Sequence, residues 1–181
     1  MEEHQVVPDV LDKVPANVLE VRYSDLVVDL GTVLTPTQVQ NPPTYLKWAA
    51  EEGGLYTIVM TDPDAPSRQD PRVREFHHWM MVNVPETDVS KGDTWSEYIG
   101  SGPPKGTGLH RYVLIVYKQQ GRIVPTEDKR KKSTANRTSW RTRDFAKANA
   151  LGDPVAANFY QAEYDDYVPK LHKELASNIT Q

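Results

Sequence analysis

Cysteine is absent from the 181-residue chain, which excludes disulfides, thiolate catalysis and any cysteine-ligated metal in one step. No apolar stretch approaches the roughly 20 residues that cross a bilayer, and Met1 to Glu20 holds acidic groups and prolines but no apolar leader core. The expectation is a soluble protein of a reducing cytoplasm. There is no basic excess either: the formal charge is −4, so the chain has no global attraction for nucleic acid or an anionic membrane. Low-complexity tracts, internal repeats and linkers are missing, so residues 1–181 are read as one domain with one principal core.

Hydrophobic content of 38% and charged content of 25% fall near the globular range and predict a folded chain. Leu19, Val21 and Tyr23 alternate with polar residues, the period of a half-buried strand, which Leu26 to Leu30 would extend toward Gly31. Leu55 to Met60 predicts a second strand, stopped by Asp62-Pro63-Asp64-Ala65-Pro66, where two prolines remove ladder donors. Phe76 to Val84 predicts a third, with Phe76, His78, Met80, Val82 and Val84 on one face and His77, Trp79, Met81 and Asn83 on the other. The breaker-rich run Gly100 to Gly108 delivers the chain to a central strand, His110 to Tyr117. A short helix is expected from Arg141 to Ala150 with Gly152 as its stop, and a C-terminal one carries Val168, Leu171 and Leu175 at helical spacing behind Asp165 and Asp166. Lys129, Arg130, Lys131, Lys132, Arg137, Arg141, Arg143 and Lys147 crowd one segment, read as a solvated loop in preference to a docking patch.

Chemistry gathers at strand ends. Asp62 follows one strand and His78 starts the next, so antiparallel pairing across the intervening loop brings both to one sheet end. His110 opens a strand and adds a second imidazole if that strand is a neighbour. Two imidazoles, a carboxylate and a Gly/Pro loop provide donors, a charge tunable near neutral pH and backbone N–H groups for a phosphate. Asp62 would orient an imidazole or meet an amine on the same ligand. His77 points to the opposite face and is read as structural; Asp64 hydrogen-bonds its turn or pairs with Arg111. A two-histidine, one-carboxylate metal site is a minor alternative. A hydrolase would need Ser67, Ser101 or Thr107 as nucleophile, yet Gly100-Ser101-Gly102 is no nucleophile elbow and Gly102 to Gly106 no P-loop.

Asp62-Pro63-Asp64-Ala65-Pro66-Ser67-Arg68, His77-His78-Trp79 and Gly108-Leu109-His110-Arg111 together resemble the signatures of the phosphatidylethanolamine-binding protein family, animal Raf-kinase-inhibitor type. Ser101 to Gly108 and Tyr160-Gln161-Ala162-Glu163 extend the likeness, which covers nearly everything from Val18 to Leu175. The resemblance implies a mainly β, α+β fold: a Greek-key β-sandwich of antiparallel sheets with C-terminal helices. It also implies a small pocket for phosphate or phosphorylethanolamine, with Asp62, His78 and His110 as floor, Pro66, Gly102 and Tyr112 as wall and Ala65 in the turn. Two positions depart from the commoner animal pattern: Phe76 stands where a Trp usually precedes the paired histidines, and His172 where the C-terminal helix often offers a Tyr. Both fall at the pocket mouth and change its hydrogen bonding.

The expected function is non-enzymatic and cofactor-free. The pocket takes an anionic lipid head group or phosphate ligand, and the protein regulates a partner, with Raf/MEK-type kinases or serine proteases implied by the family. Peripheral membrane contact is compatible with such a ligand.

Overall fold

The computed structural model describes residues 1–179. In chain order its elements are α1 (Val6–Asp9), β1 (Asn17–Val18), β2 (Glu20–Tyr23), β3 (Leu26–Val27), β4 (Thr32–Val33), β5 (Tyr45–Lys47), β6 (Leu55–Asp62), β7 (Phe76–Pro85), β8 (Asp93–Ser96), β9 (His110–Gln119), α2 (Thr142–Ala148), β10 (Ala156–Ala162) and α3 (Val168–Ile179). The long apolar strands β6, β9 and β10 are buried almost from end to end, as befits strands covered on both faces.

The main sheet runs β1-β10-β9-β6-β7-β8, with β4 also on β10. Strands β6, β7 and β8 follow one another antiparallel, and β9 then returns to lie beside β6. The spatial order β9-β6-β7-β8 is the Greek key that the family resemblance implies. Only the two-residue edge strands β1 and β4 run parallel, both against β10. A three-stranded sheet, β3-β2-β5, covers one face. Between the two sheets Leu19, Val21 and Trp48 pack with Tyr56, Ile58, Leu114 and Val116. On the other face α1, α2 and Trp140 cover Val59, Met80, Val113 and Ile115. A fully buried side chain such as Leu114 contributes about 1.5–3 kcal/mol by leaving water.

Several local expectations are corrected. The first element is the helical turn α1, ahead of any strand. Leu26 does not extend β2, because Ser24 takes a left-handed φ of 57° and folds β3 back as its antiparallel partner. Helix α2 stops at Ala148, and Ala150, at φ 51°, turns left-handed before Gly152 does.

The facial reading of β7 fails for a definable reason. The β6–β7 register shifts between Met60 and Thr61 and again between Tyr56 and Ile58, and each bulge carries an extra residue that resets the alternation. His78 therefore shares a face with Trp79 and Met81, while Met80 and Val82 lie on the opposite layer.

The basic segment is corrected as well. Arg137 is fully buried, Arg130 pairs with Glu127 and Lys132 with Glu174. Much of that charge is tied into the fold.

Candidate functional site

The antiparallel registers place Asp62 opposite Phe76 and His110 opposite Ala162, so the end of β6 and the starts of β7 and β9 meet at one sheet end. A pocket of about 250 Å³ opens there. All nine residues named from the sequence, Asp62, Ala65, Pro66, Phe76, His78, Gly102, His110, Tyr112 and His172, line it.

Asp62 and His110 form a single unit. Nδ1 of His110 lies 2.8 Å from Oδ2 of Asp62, whose Oδ1 accepts the Asp64 N–H at 2.7 Å. The other ring nitrogen, Nε2, is 2.8 Å from the Thr107 hydroxyl. Thr107 spends its one proton on the Pro104 carbonyl at 2.7 Å, so Nε2 is the donor in that contact. One further proton is then shared between Nδ1 and the carboxylate. Burial raises the Asp62 carboxyl above its ordinary range, while the hydrogen bond and charge of His110 pull the other way.

His78 differs. Its Nδ1–H donates to the Ile99 carbonyl at 2.8 Å, and burial, aided by the charge of Arg137, pushes it down to about 3. The ring is neutral at physiological pH, with the Ile99 and Gly100 backbone against it, and Nε2 carries the lone pair. Tyr112 meets the His78 ring edge-on at 5.3 Å and stacks on Tyr160 at 5.1 Å, which fixes the floor from below.

Three walls are largely apolar. Phe76 sits 4.8 Å from the His78 ring. Ile99, Leu171 and Leu175 form a small cluster of their own, with Phe76 and Tyr167 against it, where α3 closes the end of the sandwich. His172 donates through Nε2 to the Gly102 carbonyl at 2.9 Å, so the residue read as a pocket-mouth group also ties α3 to the loop. Gly102 has no room for more: a Cβ there would stand 2.9 Å from Leu171 and 3.1 Å from His172. The proline-rich rim of Pro66, Pro103 and Pro104 offers no N–H groups.

Sequence reasoning missed two contributors. In the apolar annex, Leu171 and Leu175 are legible only as helical spacing and Ile99 not at all, and none of the three as pocket wall. Arg137 was counted among solvated charges, yet its guanidinium donates to the carbonyls of His77 and His78 at 3.1 Å each and of Glu97 at 2.9 Å, clamping the start of β7. A basic residue surrounded by carbonyls carries no local signal that separates it from its exposed neighbours. His77 turns away, as expected, onto Trp140, with ring centres 3.9 Å apart.

Two of the three candidate nucleophiles, Ser101 and Thr107, are otherwise engaged, while the Ser67 hydroxyl accepts the Asp70 N–H at 3.0 Å. Ser101 is buried and bonded to the Tyr160 hydroxyl at 2.6 Å, and the Thr107 proton points at a carbonyl rather than at His110. No cluster of three or more metal-ligating side chains occurs among the described residues, and both nitrogens of His110 are already committed.

The family model for phosphatidylethanolamine-binding protein matches residues 24–161. The chain belongs to the phosphatidylethanolamine-binding protein family. Within it, the chain is 38% identical over 177 residues to the putative odorant-binding protein A5 of Drosophila melanogaster, covering 97% of this chain and 84% of that one. Among solved structures it is similar to the solution structure of CG7054, with 46% identity, a TM-score of 0.76 and coverage of 94% and 97%. It also resembles a carboxypeptidase Y inhibitor crystallised with its cognate proteinase, with 29% identity, a TM-score of 0.76 and coverage of 91% and 93%. The Greek-key sandwich and the Asp62–His78–His110 end are thus read in a family that includes binding and inhibitory proteins.

Proposed function

We propose that the protein binds, without transforming it, a small amphiphile with a phosphate or phosphorylethanolamine-type head, and that occupancy regulates a protein partner. One observation carries this reading: the neutral His78 ring, an acceptor at Nε2, lines the same pocket as an Asp62–His110 pair that shares a proton. A phosphate monoanion supplies a P–OH to Nε2, and its remaining oxygens favour protonation of the pair. An ethanolamine ammonium answers the Asp62 carboxylate. The hydrocarbon portion lies against Phe76, Ile99, Leu171 and Leu175. An anion entering this site brings a proton with it or captures one, so binding is proton-linked.

Calorimetric titration with phosphorylethanolamine in buffers of different ionisation heat tests this. Net proton uptake is expected, with affinity rising as pH falls through the imidazole range and weakening once Asp62 is protonated. His110→Ala weakens binding by at least about tenfold, the loss of one charge-assisted hydrogen bond, and leaves the circular dichroism spectrum unchanged. A flat pH profile without proton uptake sinks the reading.

A second reading, protease inhibition, is favoured by the likeness to the carboxypeptidase Y inhibitor. It is separated by a direct inhibition assay against serine carboxypeptidases, run with and without phosphorylethanolamine. A Raf/MEK-type kinase is the other partner class. With Arg130, Lys132 and Arg137 engaged internally, contacts from the basic segment would fall to the exposed Lys129 and Lys131.

A further inference from the structure

A second groove, of about 260 Å³, lies between the N-terminal segment at Leu11 to Lys13, helix α2 and the loop Ala150 to Pro154. Its floor is Tyr117, near the far end of β9 from His110. Seven residues along a strand is about 23 Å, and the odd-numbered side chains of β9 face the layer of α2 rather than that of the first pocket. The two sites therefore share a strand but neither a face nor an end.

Tyr117 is 2% exposed, yet its hydroxyl makes no hydrogen bond among the described residues. A nearly buried phenol normally finds a partner for its O–H. Burial, followed by the negative charge of Glu75, raises its pKa, so it stays a donor. Around it the charges alternate in sign. Arg143 donates to Asp12 at 2.7 Å and Lys13 to Asp153 at 2.7 Å, each pair using one carboxylate oxygen and leaving the other. Lys147 lines the same groove with no ion pair among the described residues.

We propose that this groove is a second binding site, for a small zwitterion of the free amino-acid class. Its carboxylate is received by the Tyr117 hydroxyl and the Lys147 ammonium, and its amine by the spare carboxylate oxygens of Asp12 and Asp153. The lining decides the class: charges of both signs ring the groove, which suits a small zwitterion and disfavours both a hydrocarbon chain and a simple ion of either sign.

The test is amide-resolved NMR of the full chain, titrated with free L-alanine and, in parallel, with propionate and ethylammonium, its two halves. Saturable shifts at Leu11, Ala146 and Gly152 are expected in the millimolar range for alanine alone. Tyr117→Phe keeps the ring and removes only the hydroxyl; it raises the midpoint about tenfold, and Lys147→Gln, on the surface, does likewise. His110→Ala leaves the midpoint unchanged. No saturation with alanine, an equal midpoint for either half, an unchanged midpoint in both groove variants, or a shift in His110→Ala each overturns the proposal.

Discussion

Asp62 and Asp64 stand two residues apart on one turn, each paired with one of two consecutive residues at the start of β9, and they behave as opposites. Asp64 is fully buried. It takes Nη2 of Arg111 at 2.6 Å on one oxygen, and Nε and the backbone N–H of Arg111 at 2.9 Å on the other. Arg111 completes itself on Asp9 and the His4 carbonyl at 2.8 Å each. Every polar atom is spent, and arginine does not give up its proton. Asp62 is held as tightly, but its partner is an imidazole and the pair faces a pocket. Carboxylate, burial and chain segment are shared. What separates a structural pin from a candidate binding group is a partner that can titrate and a side open to a ligand.

The harshest way to break the comparison is Arg111→Met. It leaves the buried Asp64 with only Arg74, 3.6 Å away, as counter-charge, and a loss of about 3 kcal/mol is expected from urea denaturation. Adding Asp64→Leu removes that buried charge and recovers much of that loss, since a buried pair replaced by apolar groups is often near neutral. A single variant as stable as the parent would show that the pin holds nothing.

This contrast was half legible in the sequence. The strand ends and the Asp64–Arg111 option follow from turn chemistry and alternation, which are local; the meeting of Asp62, His78 and His110 rests on an assumed strand pairing and on the family resemblance. What could not be read is set by pairing at a distance. The bulges that put Trp79 beside His78 on one face depend on how β6 slips against β7. Arg137 becomes a buried clamp only because carbonyls from two other segments converge on it. Leu171 and Leu175 announced a helix face but not that the face would wall a pocket.

Acid sharpens the comparison next. Burial pushes His78 down to about 3, and burial with the charges of Arg130 and Arg137 depresses His77 well below its ordinary value. Each is neutral when folded but takes a proton when unfolded below the ordinary histidine value of 6.5. Their contribution is present above that value and is lost as pH falls toward the folded pKa. For each histidine the loss is about 2 kcal/mol between neutral pH and about pH 5. Asp62 works in the opposite sense, because its raised pKa lets the folded state bind a proton first as pH falls. Urea denaturation across this range should show net acid destabilisation, and His78→Asn, which can still donate to the Ile99 carbonyl, should remove about half of it. An unchanged slope in that variant would mean that His78 carries no such linkage.

The smallest effect discriminates most finely between the two carboxylates. Asp62→Asn mimics the protonated acid: its carbonyl oxygen still accepts the Asp64 N–H, and its amide N–H can donate to Nδ1 of His110 while Nε2 keeps donating to Thr107. The desolvation that raises the Asp62 pKa is relieved, so stability should move by no more than about 1 kcal/mol, in either direction. The corresponding Asp64→Asn leaves the buried Arg111 with Asp9 alone as counter-charge and should cost about 2 kcal/mol. In binding the order reverses: Asp62→Asn abolishes the acid-side weakening of phosphorylethanolamine affinity, because the group that titrated is gone, whereas Asp64→Asn leaves the shape of that profile intact. Thermal denaturation and pH-resolved calorimetry on the two variants read both orders at once. Equal stability losses would show that the titratable partner is not what distinguishes the two pairs.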